Sequence, residues 1–198
     1  KLWSKNWLFS ERIKMVKKLK IFDNFSVPNK FKKSIILIGN FDGLHSGHQK
    51  LFELAKKYKT KYKSKIGVVT FDPIPKMFFN TKIKNYRISN FNQKVIYLKK
   101  FGVDFVINKK FDKNFSKITY YKFIKDILSK KLRSKFIFVS NNFRFGHKRE
   151  GDVAQLKKYE KDFGYNLINP TPLMKNKKII SSTIIRKLLQ EGKLSKAN

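Results

Sequence analysis

The 198-residue chain contains no cysteine, which excludes disulfides and all thiol chemistry. Acidic residues are scarce: 13 Asp and Glu stand against 47 Lys and Arg, for a formal net charge of +34. No apolar run approaches the roughly 20 residues of a membrane span. Residues 1–14 lack the apolar core and small-residue cleavage site of a signal peptide, so a reducing cytoplasm is the expected compartment. Neither an internal repeat nor a low-complexity linker is present. Histidine occurs only three times, at His45, His48 and His147.

What is there argues for a globular rather than a disordered chain. Apolar residues make up 41% of the chain and 20 are Phe, enough for a substantial core. The basic excess invites a nucleic-acid reading. Against it, only six of the 47 basic residues are Arg, and the Lys are spread over nearly every segment rather than gathered on one element. A compositional bias toward Lys, Asn, Ile and Phe accounts for that spread. Charge alone supports only non-specific attraction, so no specific nucleic acid is expected as a partner. The positive field would still draw in anionic small molecules.

Short apolar runs alternate with helical periodicity. Strands are expected over 19–22, 35–38, 66–71, 103–107, 136–140 and 165–168, with a short one near 177–180. Helices are expected over 47–59, 92–101, 119–131, 151–163 and 182–191. This alternation is the signature of a parallel sheet with helices on both faces, and such sheets bind ligands beyond the carboxyl ends of their strands. Individual signals are specific. Asp152 with Gln155 has capping-box spacing, and Gly102 and Gly164 stand where helices should end. Val95, Ile96 and Leu98 mark the apolar face of the helix over 92–101.

The chain is organised around 35–51, Ile-Ile-Leu-Ile-Gly-Asn-Phe-Asp-Gly-Leu-His-Ser-Gly-His-Gln-Lys-Leu. An apolar strand runs into a glycine-bearing turn and then a helix. Ser46 and Gln49 are spaced as a capping box, which starts the helix near Gly47. A helix N-terminus with free N–H groups suits an anion, and two imidazoles and a carboxylate stand beside it. Neither glycine fingerprint of the phosphate-binding loops is present. Taken alone, these residues also allow a metal site at Asp42, His45 and His48, or a purely structural histidine pair.

A second constellation is Ser181-Ser182-Thr183-Ile184-Ile185-Arg186. With Ser182 as helix cap, hydroxyls, backbone N–H groups and a guanidinium converge on one spot that suits a triphosphate. Ile184, Ile185, Leu188 and Leu189 are expected to face the core. A third stretch, Thr70-Phe71-Asp72-Pro73-Ile74-Pro75, is a strand stiffened at its end by two prolines. A fourth runs from Ser140 to Asp152, Ser-Asn-Asn-Phe-Arg-Phe-Gly-His-Lys-Arg-Glu-Gly-Asp. It holds Arg144 and Arg149, with Arg149 able to pair on the surface with Glu150 or Asp152.

GNFDGLHSGHQ resembles the HxGH motif of the nucleotidylyltransferases, and in its longer form the opening of the FMN adenylyltransferase module of prokaryotic bifunctional FAD synthetases. The segment at 181–186 is similar to the ISSTxIR signature of the same superfamily, 70–75 to the TFxPHP segment, and 140–152 to VGxDFRFGKGRxGD. The departures are Ile74 for His, Ser140 for Gly, and His147-Lys148 for Lys-Gly. The resemblance implies a Rossmann-like (HUP-type) α/β fold and transfer of AMP from ATP to FMN, giving FAD and pyrophosphate, with Mg²⁺ carried by the ATP. It implies that His45, His48 and Arg186 serve catalysis. ATP would be bound by these together with Gly39, Asn40, Phe41, Asp42, Gly43, Gly47, Ser182 and Thr183. Phe71, Pro73, Pro75, Phe79 and Asn142 would serve the flavin, and no dedicated protein metal site is implied. The expected organisation is an extension at 1–14 and an adenylyltransferase domain at 15–198 without the riboflavin kinase module. The alternatives are a different acceptor for the nucleotidyl group, or a degenerate module that binds flavin or nucleotide without turnover.

Overall fold

The computed structural model describes residues 19–83, 86–171, 174–175, 178–179 and 182–193. The extension expected at 1–14, and Ser181, lie outside them. Six strands form one all-parallel sheet: β1 (Lys20–Phe22), β2 (Ile35–Ile38), β3 (Ile66–Asp72), β4 (Phe105–Lys110), β5 (Phe136–Phe138) and β6 (Asn166–Ile168). Their spatial order is β1-β4-β3-β2-β5-β6. Chain order runs outward from β2 through β3 and β4, then jumps back to place β5 on the other side of β2. The direction of winding therefore reverses between β2 and β5, and a crevice opens beyond their carboxyl ends.

β2 is buried at all four positions, as a strand covered on both faces must be. Its alternating side chains enter two separate cores. Ile35 and Leu37 pack with Leu51, Phe52 and Ala55 of α1 (Ser46–Tyr62) and Leu98 of α3 (Phe91–Lys100). Ile36 and Ile38 pack with Phe123, Ile124, Ile127 and Leu128, and with Leu156 of α5 (Val153–Lys158). The expected Rossmann-like sheet with helices on both faces is present. Gly67 has a specific reason to be glycine: it pairs with Phe105 across β3 and β4, and a Cβ there would lie 2.2 Å from the Phe105 ring.

Local structure departs from expectation in several places. The helix expected over 119–131 begins as α4 (Tyr120–Lys122), capped by the Thr119 hydroxyl, and continues as a π-helix over Phe123–Lys131. The helix expected over 151–163 is broken at Tyr159 into α5 and α6 (Glu160–Phe163). Its Asp152–Gln155 capping box and its end at Gly164 are as expected. In α3 the Asn90–Gln93 pair forms a capping box, and the buried face is Lys94 and Leu98, whereas Ile96 is 56% exposed. Positions 94 and 98 are four apart and share a face, which 96 cannot. The strand near 177–180 is a hairpin of β7 (Met174–Lys175) and β8 (Lys178–Ile179), leading to α7 (Ser182–Gln190). Ile184 and Leu189, expected in the core, are partly solvent-exposed on α7.

Candidate active site

A cavity of about 770 Å³ lies at the carboxyl ends of the central strands. Its floor is the turn after β2. Gly39, Asn40, Phe41 and Asp42 all line it, but Gly43 does not. Gly43 turns the chain away at φ +71°, against Ile88, which a Cβ would approach to 2.8 Å. Phe41 also adopts positive φ, +46°, and its buried ring supports Gly39, His48 and Phe52. Among the described residues the Phe41 N–H has no protein acceptor.

The residue that caps α1 is His45, not Ser46. Its side chain makes no capping bond, and Gln49 donates its amide to the Leu44 carbonyl instead of closing a capping box. The consequence is chemical: no side chain occupies the N–H groups of the first turn, so they remain available to a ligand anion at the positive end of the helix dipole. Gly47 lines the cavity at this turn, where the His45 and His48 rings stack with centroids 3.8 Å apart. Neither Nδ1 atom, both buried, has a partner among the described residues. Burial pushes the His48 pKa down to about 3, with smaller contributions from His45 and the Lys94 ammonium. Burial, then the Arg186 charge, also lowers that of His45. Both imidazoles are therefore neutral near pH 7, each offering one N–H donor and one lone pair.

Asp42 is 1% exposed and saturated with donors. It accepts from the Ile88 and Ser89 backbone N–H groups at 3.0 Å each and from Arg186 Nη2 at 2.8 Å. Its lone pairs are spent on structure, which removes the Asp42-His45-His48 metal reading. No group of three or more potential metal ligands exists among the described residues. Ser182 is the first residue of α7 rather than its cap, and its hydroxyl donates to the Asp42 carbonyl at 2.8 Å. Arg186 is likewise committed: Nε donates to the Tyr86 carbonyl at 2.8 Å and the guanidinium lies 3.9 Å from the centre of the Tyr86 ring. Among the described residues its Nη1 hydrogens have no partner. Ser182, Thr183 and Arg186 all line the cavity, so residues from 39 to 48 and from 182 to 186 meet around one space.

The other half of the cavity is aromatic. Phe71, Phe111 and Phe115 pack edge to face and tilted, with ring centres 5.7–6.0 Å apart. Pro75 begins the short helix α2 (Pro75–Phe79), and Phe79, 68% exposed, stands at the rim against Phe111. Pro73 follows a cis peptide after Asp72 and lies outside the cavity wall. Ile74, the departure from His, is buried at the wall. Asn142 also lines the cavity, with its side-chain oxygen accepting from Ser140 Oγ at 2.9 Å. Asp152 pairs with Arg144 at 2.9 Å, and Glu150 accepts from the Tyr120 N–H, so neither holds Arg149, which lines the cavity.

Several participants escape sequence reading. Tyr86 is a lone aromatic in a featureless loop, and Phe111 and Phe115 are two Phe among 20. Lys76, also in the wall, places its ammonium 5.1 Å from the Tyr86 ring centre. Lys94 looks like one more surface lysine.

The family described as FAD synthetase matches residues 27–184. A bifunctional riboflavin kinase/FMN adenylyltransferase of Buchnera aphidicola (subspecies from Acyrthosiphon pisum) is 41% identical over 165 residues, covering 83% of this chain and 53% of that protein. The protein of the same name from Escherichia coli K12 is 36% identical over 163 residues, covering 82% and 52%. The chain thus spans about half the length of the curated relatives it matches. A solved structure from Streptococcus pneumoniae, described as a macrolide-efflux protein, superposes with a TM-score of 0.78 at 28% identity, covering 91% of this chain and 60% of that one.

Proposed function

This chain belongs to the FAD synthetase family, and on that premise we propose that it transfers AMP from ATP to FMN, releasing pyrophosphate and forming FAD, in the cytoplasm. The observation that carries the reading is one cavity with two chemically distinct halves. One half has an uncapped helix N-terminus, two neutral imidazoles and an arginine; the other is walled by Phe71, Phe79, Phe111 and Phe115.

In this reading an FMN phosphate oxygen attacks the α-phosphorus of ATP, and the bond from that phosphorus to the oxygen bridging to the β-phosphate breaks. The protein's work is alignment and charge stabilisation. The N–H groups at the start of α1, with Phe41 N–H, hold phosphate oxygens. His45 and His48 donate ring N–H groups to the migrating phosphoryl group without adding a proton to it, because both are neutral. Arg186, fixed by Asp42 and Tyr86, keeps its Nη1 hydrogens for the triphosphate. Thr183 supplies a hydroxyl at the same end, and Asn142 and the aromatic wall orient the flavin. Mg²⁺ would be held by the ATP phosphates and water rather than by these side chains, and would supply charge neutralisation at the triphosphate.

The test is to incubate the protein with FMN, ATP and Mg²⁺ and separate the flavins by chromatography, with riboflavin plus ATP in parallel. FAD from FMN is the expected product. Bound FMN without FAD would replace the reading with a degenerate binding module. Turnover of ATP only with some other phosphate-bearing acceptor would replace FMN as substrate.

A further inference from the structure

Lys94 lies on α3, outside every motif of the nucleotide site, yet it is 6% exposed. Lysine is almost never so buried unless paired. The two carboxylates that bear on it are committed elsewhere, Asp42 to Arg186 and Asp72 to Arg87. Among the described residues no ion pair forms at Lys94; its Nζ donates to the Asn40 carbonyl at 2.7 Å and to Thr70 Oγ1 at 3.2 Å. The Thr70 hydroxyl in turn donates to the same carbonyl at 3.2 Å. Donors and acceptors therefore close into a triangle on one backbone oxygen, that of the residue after the turn glycine Gly39.

That oxygen matters because the Phe41 N–H belongs to the same peptide unit. C=O and N–H point in opposite directions across a trans peptide. Pulling the Asn40 carbonyl toward α3 therefore aims the Phe41 N–H the other way, on the side where Asn40 and Phe41 line the cavity. Phe41 sits at φ +46°, which is unfavourable for a side chain with a Cβ and persists only where neighbours over-determine it.

We propose that Lys94 is a positioning residue for nucleotide binding: its buried ammonium pins the Asn40–Phe41 peptide so that the Phe41 N–H faces the ATP phosphates, and it sets a fixed positive charge behind the loop. The proposal rests on reading this half of the cavity as the ATP site. It predicts an asymmetry that a merely structural lysine would not produce: the ammonium bonds the Asn40 carbonyl of the nucleotide half directly, whereas it reaches Phe71 of the aromatic wall only through the neighbouring Thr70 hydroxyl.

The test uses Lys94→Met, which keeps the length of the side chain and removes the charge and donors, and Lys94→Gln, which restores a neutral donor. Amide hydrogen exchange on the ligand-free protein should show faster exchange at residues 39–45 in Lys94→Met, with β4 unchanged. Calorimetric affinity for MgATP should fall by about tenfold, the usual worth of a hydrogen bond to a charged group, with FMN affinity unaltered and partial recovery in Lys94→Gln. Unchanged loop exchange overturns the proposal. So does an equal loss of MgATP and FMN affinity, which would mark general destabilisation, and Lys94→Gln decides the matter if Lys94→Met does not fold. Wild-type protein that binds MgATP but makes no FAD removes the proposed acceptor and leaves the Lys94 result standing.

Discussion

Asp42 Oδ2 accepts a hydrogen bond from Arg186 Nη2 at 2.8 Å, joining the turn after β2 to the last helix across 144 residues of chain. Asp42 also binds the backbone of Ile88 and Ser89, so one carboxylate assembles three separated segments of the cavity. Removing it leaves a largely buried guanidinium without its counter-charge. We expect Asp42→Ala to lower unfolding free energy by about 3 kcal/mol, the usual cost of breaking a buried pair from one side. Urea denaturation measures this. A loss below about 1 kcal/mol would mean that water or Tyr86 compensates the arginine.

In the proposed reaction His48 acts on the substrate, while its ring also packs against Phe41. Its Nδ1 has no partner among the described residues, so deleting the ring breaks no hydrogen bond at that atom. We expect His48→Ala to lower the rate of FAD formation by about 10²–10³-fold, the range seen when one transition-state donor is lost, while the thermal midpoint moves by only a few degrees. A variant with a normal rate would take His48 out of the transition state.

The same burial makes stability depend on pH with a definite sign. His48 titrates near 3 in the folded protein and near the ordinary 6.5 when unfolded. The unfolded chain therefore binds a proton that the folded one refuses, and stability falls as pH drops from 6.5 toward 3. Lys94, held near 8 by burial against an ordinary 10.5, gives a second window in which stability rises as pH climbs from 8 to 10.5. Denaturation series across pH should show both slopes. His48→Gln should reduce the first, leaving the part owed to His45, and Lys94→Met should remove the second while easing the first slightly, because the Lys94 ammonium helps to lower His48.

Gly67 tests the sheet apart from the site. A methyl group there meets the Phe105 ring at a distance no real contact allows. We expect Gly67→Ala to destabilise by about 2 kcal/mol, as overpacking does, and Phe105→Leu in the same chain to recover part of it. Additive losses in the double variant would show that the two positions do not clash.

Much of this is legible without coordinates because it rests on short-range rules. Alternating apolar runs and helical periods specify a covered parallel sheet. Asp152 with Gln155 closes its capping box within four residues, and histidines at i and i+3 of one helix turn share one side of it. Where local rules compete, they mislead. Ser46 and Gln49 have the spacing of a capping box, yet Gln49 turns to the Leu44 carbonyl and His45 takes the cap. Hydropathy alone assigns Ile96 to the core, and it stands in solvent because α3 turns Lys94 and Leu98 inward.

The α/β architecture and the strand–turn–helix that offers an anion site are written in the sequence, since each depends on residues close together in the chain; that the segment at 182–186 joins that turn was implied only by the resemblance. How the side chains are employed is set by the folded arrangement. Asp42 and Arg186 became partners of each other, Tyr86 became a platform for the guanidinium, and Lys94 became a buried anchor for the Asn40 carbonyl. Those assignments arise from contacts between segments far apart in the chain, where desolvation drives most buried donors and acceptors to find a partner, and no periodicity or spacing in the chain encodes which one it will be.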